Sequence, residues 1–262
     1  MLSSKIINPL YQLERFLRSP LESPSNDFSK QAIILSSYPK SGNTWLRFVV
    51  SNVSSIMNSD EEINFNSIEQ YAPVIRGNRN LINMHQTDGV PTFLKSHSAY
   101  IPGFSAYKSV VIIRDPFKAI PSYRDYLIKA RNKELDDISH FCKHWRYGFN
   151  AWAQFVSSWS EKATLFVKYE DLLIDPITEV SKIYSTLGFD IDIDIISKAI
   201  ELSSRSNMKK SLESKGDPHN KNGFSFVRNE EENKGIRDIF TNETLEKDYP
   251  FFYQQAKKFN YI

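Results

Sequence analysis

Residues 32–50 read AIILSSYPKSGNTWLRFVV: a short apolar run, then a polar loop, then apolar residues at helical spacing. This order predicts a buried strand, a loop and the start of a helix. Gly42 lets the loop close around an anion, and the first N–H groups of the helix would point at it. Lys40 adds a positive charge, and Ser41 and Thr44 add hydroxyl groups. The stretch therefore predicts an anion-binding loop.

This loop differs from the Walker A motif, G-x-x-x-x-G-K-[ST], because Lys40 precedes Gly42. A nucleoside triphosphate with magnesium is a poorer candidate ligand for that reason. A lone Lys-Ser-Gly would be ordinary turn chemistry with an exposed lysine. The full string from Tyr38 to Trp45 instead favours a ligand site.

Two further apolar runs, Val110 to Ile113 and Leu165 to Val167, alternate with segments of helical period. The clearest such segment is 138–159, where large aromatic residues recur every three or four positions. Strands that alternate with helices predict a single α/β domain, with a central, mainly parallel β-sheet flanked by helices and a P-loop-like phosphate-binding loop. Ligands of such sheets bind outside the carboxyl ends of the strands, so the residues after each run are the candidates for chemistry.

Composition narrows the classes of protein and partner. The 262 residues carry 33 Lys and Arg against 31 Asp and Glu, so we expect no nucleic-acid partner, which would need a basic surface. A single cysteine, Cys142, excludes an internal disulfide and fits a reducing, cytoplasmic location. No apolar stretch reaches the ~18 residues of a membrane span. We predict an N-terminal appendage and linker over 1–29, without signal peptide or anchor, and one domain over 30–262.

Residues 114–123, which follow the second apolar run, read RDPFKAIPSY. Arg114 at a strand end and Ser122 on the next helix can converge on one phosphate, because arginine suits bidentate phosphate contacts. The alternative for Arg114 is a structural ion pair with a carboxylate. Asp115 is placed to cap that helix and Pro116 to occupy its first position. Pro121 would remove a donor inside the helix, so Ser122 could follow a kink.

These two motifs resemble those of the sulfotransferases that use 3′-phosphoadenylyl sulfate (PAPS). The string YPKSGNTW is similar to the family's 5′-phosphosulfate loop, and Arg114 with Ser122 is similar to its 3′-phosphate segment. The resemblance implies the sulfotransferase fold, PAPS as donor, adenosine 3′,5′-bisphosphate (PAP) as product and no metal. It also implies nucleotide contacts from the loop residues Lys40, Ser41, Gly42, Asn43, Thr44 and Trp45.

Later segments resemble the family less closely. Tyr169, in VKYEDLLIDP, stands at a position of the adenine site, and Asp171 is predicted to cap the helix that follows. Ser204 and Arg205 are implied nucleotide contacts, with Arg205 in place of an adenine-stacking phenylalanine; a guanidinium can also stack on a base. Arg228 is implied as a further contact, beside an unfavourable acidic run at 230–232.

Residues 92–97, TFLKSH, resemble the family's [KR]-x-H segment, which implies that His97 is the catalytic general base. With an ordinary pKa near ~6.5, His97 can accept the proton of the acceptor at cellular pH. Lys40 and Lys95 are the catalytic cations that neutralise the leaving group. Without the other motifs, a lone histidine in such a strand would be a hydrogen-bonded structural residue.

Two other features suggest chemistry that we do not adopt. His140 and His144 have the spacing of a zinc pair, but no glutamate follows the first histidine and no third ligand is evident. Cys142 between them has no oxyanion device, so a packing role fits better than a nucleophile.

The resemblance implies transfer of a sulfuryl group to a hydroxyl or amine of a small-molecule natural product or a saccharide. The alternatives are a P-loop-type small-molecule kinase and a non-catalytic module that binds the bisphosphate nucleotide. Neither the acceptor nor the oligomeric state can be read from the sequence.

Overall fold

Four parallel strands form the central sheet of the computed structural model, which describes residues 31–58, 61–75, 87–216 and 236–262. Their order is β2-β1-β3-β4. Leu35 of the inner strand β1 pairs with Lys95 of β2 on one side and with Val110 of β3 on the other. The strands are β1 Ile33–Ser37, β2 Phe93–Ser96, β3 Lys108–Ile113 and β4 Leu165–Lys168.

Helices cover both faces of this sheet and supply most of the remaining described structure. A short 3-10 turn, Pro102–Phe104, precedes β3. The helices in the described residues are α1 Asn43–Asn58, α2 Ile68–Tyr71, α3 Pro116–Lys129, α4 Ile138–Lys143, α5 Phe149–Trp159, α6 Tyr169–Ile174, α7 Pro176–Leu187, α8 Ile193–Leu202, α9 Arg205–Lys215, α10 Ile236–Ile239, α11 Asn242–Asp248 and α12 Pro250–Lys258.

Each face of the sheet packs against its own apolar core, because side chains alternate along a strand. Ile34 and Val111 pack with the aromatic residues of α5 and α12. Leu35 and Val110 pack with α1, α7 and α8 on the other face. Burial on both faces explains why these strands are continuous apolar runs. The predicted α/β fold with a central parallel sheet and flanking helices is confirmed.

The connections between strands change direction at the boundary between β1 and β3. The chain leaves β1 toward β2, then crosses back over to β3, so the connections after β1 and β2 run in opposite directions. The carboxyl ends of β1 and β3 therefore border a crevice at a topological switch point, where α/β sheets bind ligands.

The long helical pattern at 138–159 does not form one helix. It breaks into α4 and α5, and Gly148 caps the start of α5 in extended conformation. A Cβ atom at Gly148 would collide with the carbonyl oxygen of Cys142, so the chain turns a corner there that only glycine fits. The aromatic spacing correctly predicts helical structure in this segment, but the break between the two helices depends on the close backbone approach at Gly148.

Helix capping agrees with the sequence at one helix and differs at another. Asp115 accepts a hydrogen bond from the Phe117 N–H at 2.9 Å and Pro116 begins α3, as predicted. Helix α3 continues through Pro121 to Lys129, so Ser122 lies within one assigned helix. The predicted cap Asp171 is instead in the first turn of α6, and the capping carboxylate is that of Asp175, before α7.

The predicted appendage and linker over 1–29, and Arg228, lie outside the described residues. Across the parts of the chain that are described, no helix is long and apolar enough to cross a membrane.

Candidate active site

The loop after β1 has an unusual backbone that brings its residues against two later motifs. Lys40 and Gly42 both have positive φ angles, 67° and 91°. A Cβ atom at Gly42 would collide with the ring of Tyr169. Glycine is therefore required here both for its conformation and for the close approach of that ring.

Arg114 joins the loop to Tyr169. Its Nη1 donates to the Lys40 carbonyl oxygen at 2.9 Å, and its guanidinium lies 4.6 Å from the centre of the Tyr169 ring. Ser122 is buried in α3, the helix that begins two residues after Arg114. Residues that follow β1, β3 and β4 thus meet at the switch point, because these three parallel strands end at the same edge of the sheet.

The start of α1 presents groups that suit an anion. Ser41 is fully buried, and its Oγ has no hydrogen-bond partner among the described residues. A buried hydroxyl without a partner is costly, and an oxyanion oxygen would satisfy it. Thr44 and Trp45 are half-buried in the first turn of this 16-residue helix, whose N-terminus favours negative charge.

Asn43 uses its side chain within the protein. Its Nδ2 donates to Ser37 Oγ at 3.1 Å, and lies 3.4 Å from the Leu35 carbonyl oxygen and 3.5 Å from that of Ser96. These contacts tie the ends of β1 and β2 together. The Asn43 side chain therefore supports the strand ends, in addition to lying beside the loop.

His97 follows β2, and its Nδ1 lies 3.0 Å from the carbonyl oxygen of Ser37 and 3.3 Å from Ser37 Oγ. A carbonyl oxygen can only accept, so Nδ1 carries the proton in the neutral ring. The lone pair of Nε2 is then the one available to accept a proton. This contact selects the tautomer that a general base at Nε2 requires.

The pKa of His97 is lowered from its ordinary value, to about 3, chiefly because the surrounding protein displaces water. The positive charges of Lys95, Arg47 and Lys40 contribute further. His97 is itself exposed at the end of β2, and its pKa lies below the ordinary ~6.5. The sequence predicted an ordinary pKa for His97; this prediction is wrong, because the pKa is lower.

Lys95 is half-buried on β2, two residues before His97. Its backbone N–H donates to the Pro73 carbonyl oxygen at 2.7 Å, and its carbonyl accepts from the Ile75 N–H at 3.0 Å. Residues Pro73 and Ile75 therefore lie along the outer edge of β2. Lys95 lies close enough to His97 for its positive charge to lower the pKa of His97.

Ser204 and Arg205 lie at the start of α9. Ser204 Oγ accepts from the Asn207 N–H at 3.4 Å and caps the helix, and Arg205 is exposed. Met208, one turn later, packs in a small core with Phe48 of α1. That packing places the start of α9 beside α1, the helix that follows the loop.

A hydrogen-bonded network that the sequence did not predict holds the residues next to Arg114 and Tyr169. Glu170 accepts from the Asp115 N–H and from the Tyr261 hydroxyl, each at 3.0 Å. Arg237 Nη2 donates to the Tyr261 carbonyl oxygen at 2.6 Å. Burial raises the pKa of Asp115, and burial with the nearby Glu170 carboxylate raises that of Tyr261. The YED string is the one sequence signal for Glu170, because its partner Tyr261 lies 91 positions later in the chain.

The two histidines with zinc spacing make separate contacts. His140 Nδ1 lies 2.7 Å from an Asp137 carboxylate oxygen, whereas His144 lies beyond the end of α4 and stacks on Tyr147 at 4.7 Å. Burial raises the pKa of Cys142 to about 12, which disfavours a thiolate.

Known proteins with similar sequences are sulfotransferases. Mouse sulfotransferase 1 family member D1 is 28% identical over 195 residues, which cover 68% of this chain and 65% of that protein. Human sulfotransferase 4A1 is 26% identical over 195 residues, covering 69% of this chain and 68% of that protein. The match thus spans slightly less than two thirds of the mouse relative.

Solved structures show the same fold. Retinol dehydratase in complex with androsterone and the inactive cofactor PAP has a TM-score of 0.66 at 15% identity, over 93% of this chain and 86% of that one. A mouse sulfotransferase complexed with PAP has a TM-score of 0.62 at 20% identity, over 95% and 91% of the two chains. The family description "Sulfotransferase domain" matches residues 30–260. Because that match covers nearly the whole sequence, this chain belongs to the sulfotransferase domain family.

Proposed function

We propose that this protein is a PAPS-dependent sulfotransferase that transfers a sulfuryl group to a hydroxyl or amine of a small-molecule natural product or saccharide. The observation that carries the proposal is the meeting of the Lys40 loop, Arg114 and Tyr169 at the switch point, with His97 at the neighbouring strand end. Family membership and the PAP complexes of two proteins with the same fold support it.

The described residues fit the donor. The buried Ser41 hydroxyl without a partner and the N-terminus of α1 suit the 5′ phosphosulfate, with Gly42, Asn43, Thr44 and Trp45 around them. Arg114 and Ser122 suit a second phosphate, and we assign Tyr169, whose ring lies against the Arg114 guanidinium, to the adenine site. Further nucleotide contacts are proposed for Ser204, Arg205 and Arg228.

The donor supplies an electrophilic sulfur and a leaving phosphate; the chain supplies charge and a base. We assign His97 Nε2 to accept the proton of the acceptor, because Nδ1 is committed to Ser37. Lys40 and Lys95 offset the negative charge that develops on the leaving group. The described residues contain no cluster of three metal-ligating side chains, and the proposed chemistry uses none.

A small-molecule acceptor is supported by the relatives. The solved retinol dehydratase complexes hold androsterone or retinol, and a matching Flaveria bidentis enzyme is named flavonol 3-sulfotransferase. A saccharide acceptor remains part of the proposal on the sequence resemblance alone. We also propose a cytoplasmic location, for which the single cysteine is the support.

Calorimetry with PAP and mass spectrometry after incubation with PAPS test the proposal. We expect PAP to bind without metal and an acceptor to gain one sulfuryl group in the presence of EDTA. Magnesium-dependent ATP turnover without sulfation would favour the kinase. Tight PAP binding with no sulfated product across a broad acceptor library would favour the non-catalytic module.

A further inference from the structure

We infer that Glu170 is a positioning residue for donor binding, which orients Arg114 through a hydrogen bond to the backbone of the next residue, Asp115. The inference rests on the proposed function, because Arg114 is proposed there to contact the second phosphate of the donor. Glu170 acts through Arg114 and not through a contact of its own with the nucleotide.

The strand register places Glu170 opposite the residue that follows Arg114. Ile113 at the end of β3 pairs with Lys168 at the end of β4. Two positions further along both strands, the same register brings Asp115 opposite Glu170. The backbone ladder has ended at this point, because the chain after β4 turns into α6. The Glu170 side chain continues the link, since its Oε1 accepts from the Asp115 N–H at 3.0 Å.

This hydrogen bond acts on the backbone of Arg114. The Asp115 N–H and the Arg114 carbonyl group belong to one planar peptide unit, so a bond to that N–H holds the peptide on one side of the Arg114 Cα atom. The peptide on the other side follows Ile113, which is fixed in the sheet. Asp115 is the N-cap of α3, and an N-cap N–H has no acceptor within its own helix. Glu170 supplies that acceptor.

The direction of the Arg114 side chain matters for the contacts at its far end. Its Nη1 donates to the Lys40 carbonyl oxygen at 2.9 Å, and its guanidinium lies 4.6 Å from the centre of the Tyr169 ring. Arginine binds a phosphate through a planar fork of N–H groups, so the strength of the contact depends on the orientation of that plane. A rotation at the Arg114 Cα atom would turn the fork away from its ligand.

Glu170 is itself held in place, as a positioning residue must be. Its Oε2 accepts from the Tyr261 hydroxyl at 3.0 Å, and the buried Tyr261 ring packs edge-on against Trp152 at 6.1 Å. Arg237 Nη2 donates to the Tyr261 carbonyl oxygen at 2.6 Å and lies 4.0 Å from an Asp115 carboxylate oxygen. The contacts therefore form a closed ring that returns to Asp115, and Arg237 offsets the charge of the Asp115 carboxylate.

A double-mutant cycle on PAP affinity, measured by calorimetry on the full chain, tests the inference. We expect Glu170→Ala to weaken PAP binding about ten-fold in the parent protein, but less than about two-fold when Arg114 is already alanine, because its effect passes through Arg114. A general structural role would instead give the same loss in both backgrounds.

Two milder variants grade the effect. Tyr261→Phe keeps the packed ring but frees one oxygen of Glu170, and should weaken PAP binding about three-fold in the parent protein only. Glu170→Gln should stay within about two-fold of the parent protein, because its amide oxygen still accepts from the Asp115 N–H and its amide N–H can donate to the Tyr261 oxygen. Asp171→Ala is the matched control: it removes an exposed carboxylate one position along and should change affinity less than about two-fold.

The inference is overturned if Glu170→Ala binds PAP as tightly as the parent protein, if its loss is equal in the two backgrounds, or if Asp171→Ala loses as much. Thermal unfolding checks that each variant is folded, and the cycle with Tyr261→Phe decides the question if Glu170→Ala does not fold. If the parent protein does not bind PAP, or if Arg114→Ala alone leaves PAP affinity unchanged, the proposed phosphate contact is contradicted, and the inference with it.

Discussion

The two sides of β1 hold their functional groups in different ways. On the donor side, toward β3 and β4, Lys40, Gly42, Arg114 and Tyr169 are locked together by a hydrogen bond, a stacked guanidinium and a glycine against a ring. On the base side, toward the edge strand β2, His97 is exposed and is held by contacts to Ser37. Nucleotide binding and proton transfer therefore rest on separate contacts and should be separable by mutation.

The largest effect is expected from Gly42→Ala, which changes the donor side. A methyl group there collides with the Tyr169 ring on a backbone of positive φ, so PAP affinity should fall by about 100-fold or more. Gly89→Ala is the control, because Gly89 has a φ of +78° with nothing within 4 Å of the added Cβ atom. Calorimetry that shows the two variants binding PAP equally would contradict the close contact.

On the base side, His97→Ala should lower the single-turnover rate by roughly 100-fold or more and leave PAP affinity nearly unchanged, because only the proton acceptor is lost. His140→Ala is a matched control, since His140 is an exposed histidine on α4. If His97→Ala keeps most of its rate on a hydroxyl acceptor, the base lies elsewhere.

Loss of one cation from the donor side should have a smaller effect. Lys40→Ala and Arg114→Ala should each weaken PAP binding by about 1.5 to 3 kcal/mol, the value of one charge-assisted contact. Lys118→Ala, at an exposed position of α3, controls for net charge and should change affinity by less than about two-fold. If both test variants bind PAP as tightly as the parent protein, the assignment of Lys40 and Arg114 as phosphate contacts is wrong.

The pH dependence of the rate should show the smallest change. Since the pKa of His97 is lowered below 6.5, the ring is already neutral above that pH, and protonation stops the base only as pH falls through the lowered value. The rate on a hydroxyl acceptor should therefore vary less than about two-fold between pH 6.5 and 8 and decline at more acid pH. A rate that still rises steeply between pH 6.5 and 7.5 would show an unperturbed base.

The sequence alone determined the local features. The strand, loop and helix around Gly42, the cap at Asp115 with Pro116, and the short strand that ends just before His97 were predicted correctly. Each depends on backbone geometry within a few neighbouring residues, and glycine, proline and capping side chains encode that geometry directly.

Only the tertiary structure decided which of these features meet. The contacts of Arg114 with Lys40, of Tyr169 with Gly42 and of Glu170 with Tyr261 span long stretches of chain and follow from the strand order β2-β1-β3-β4. The tautomer and lowered pKa of His97 likewise depend on groups from other elements. Local periodicity carries no information on which strands become neighbours, because that choice is made by packing of the whole domain.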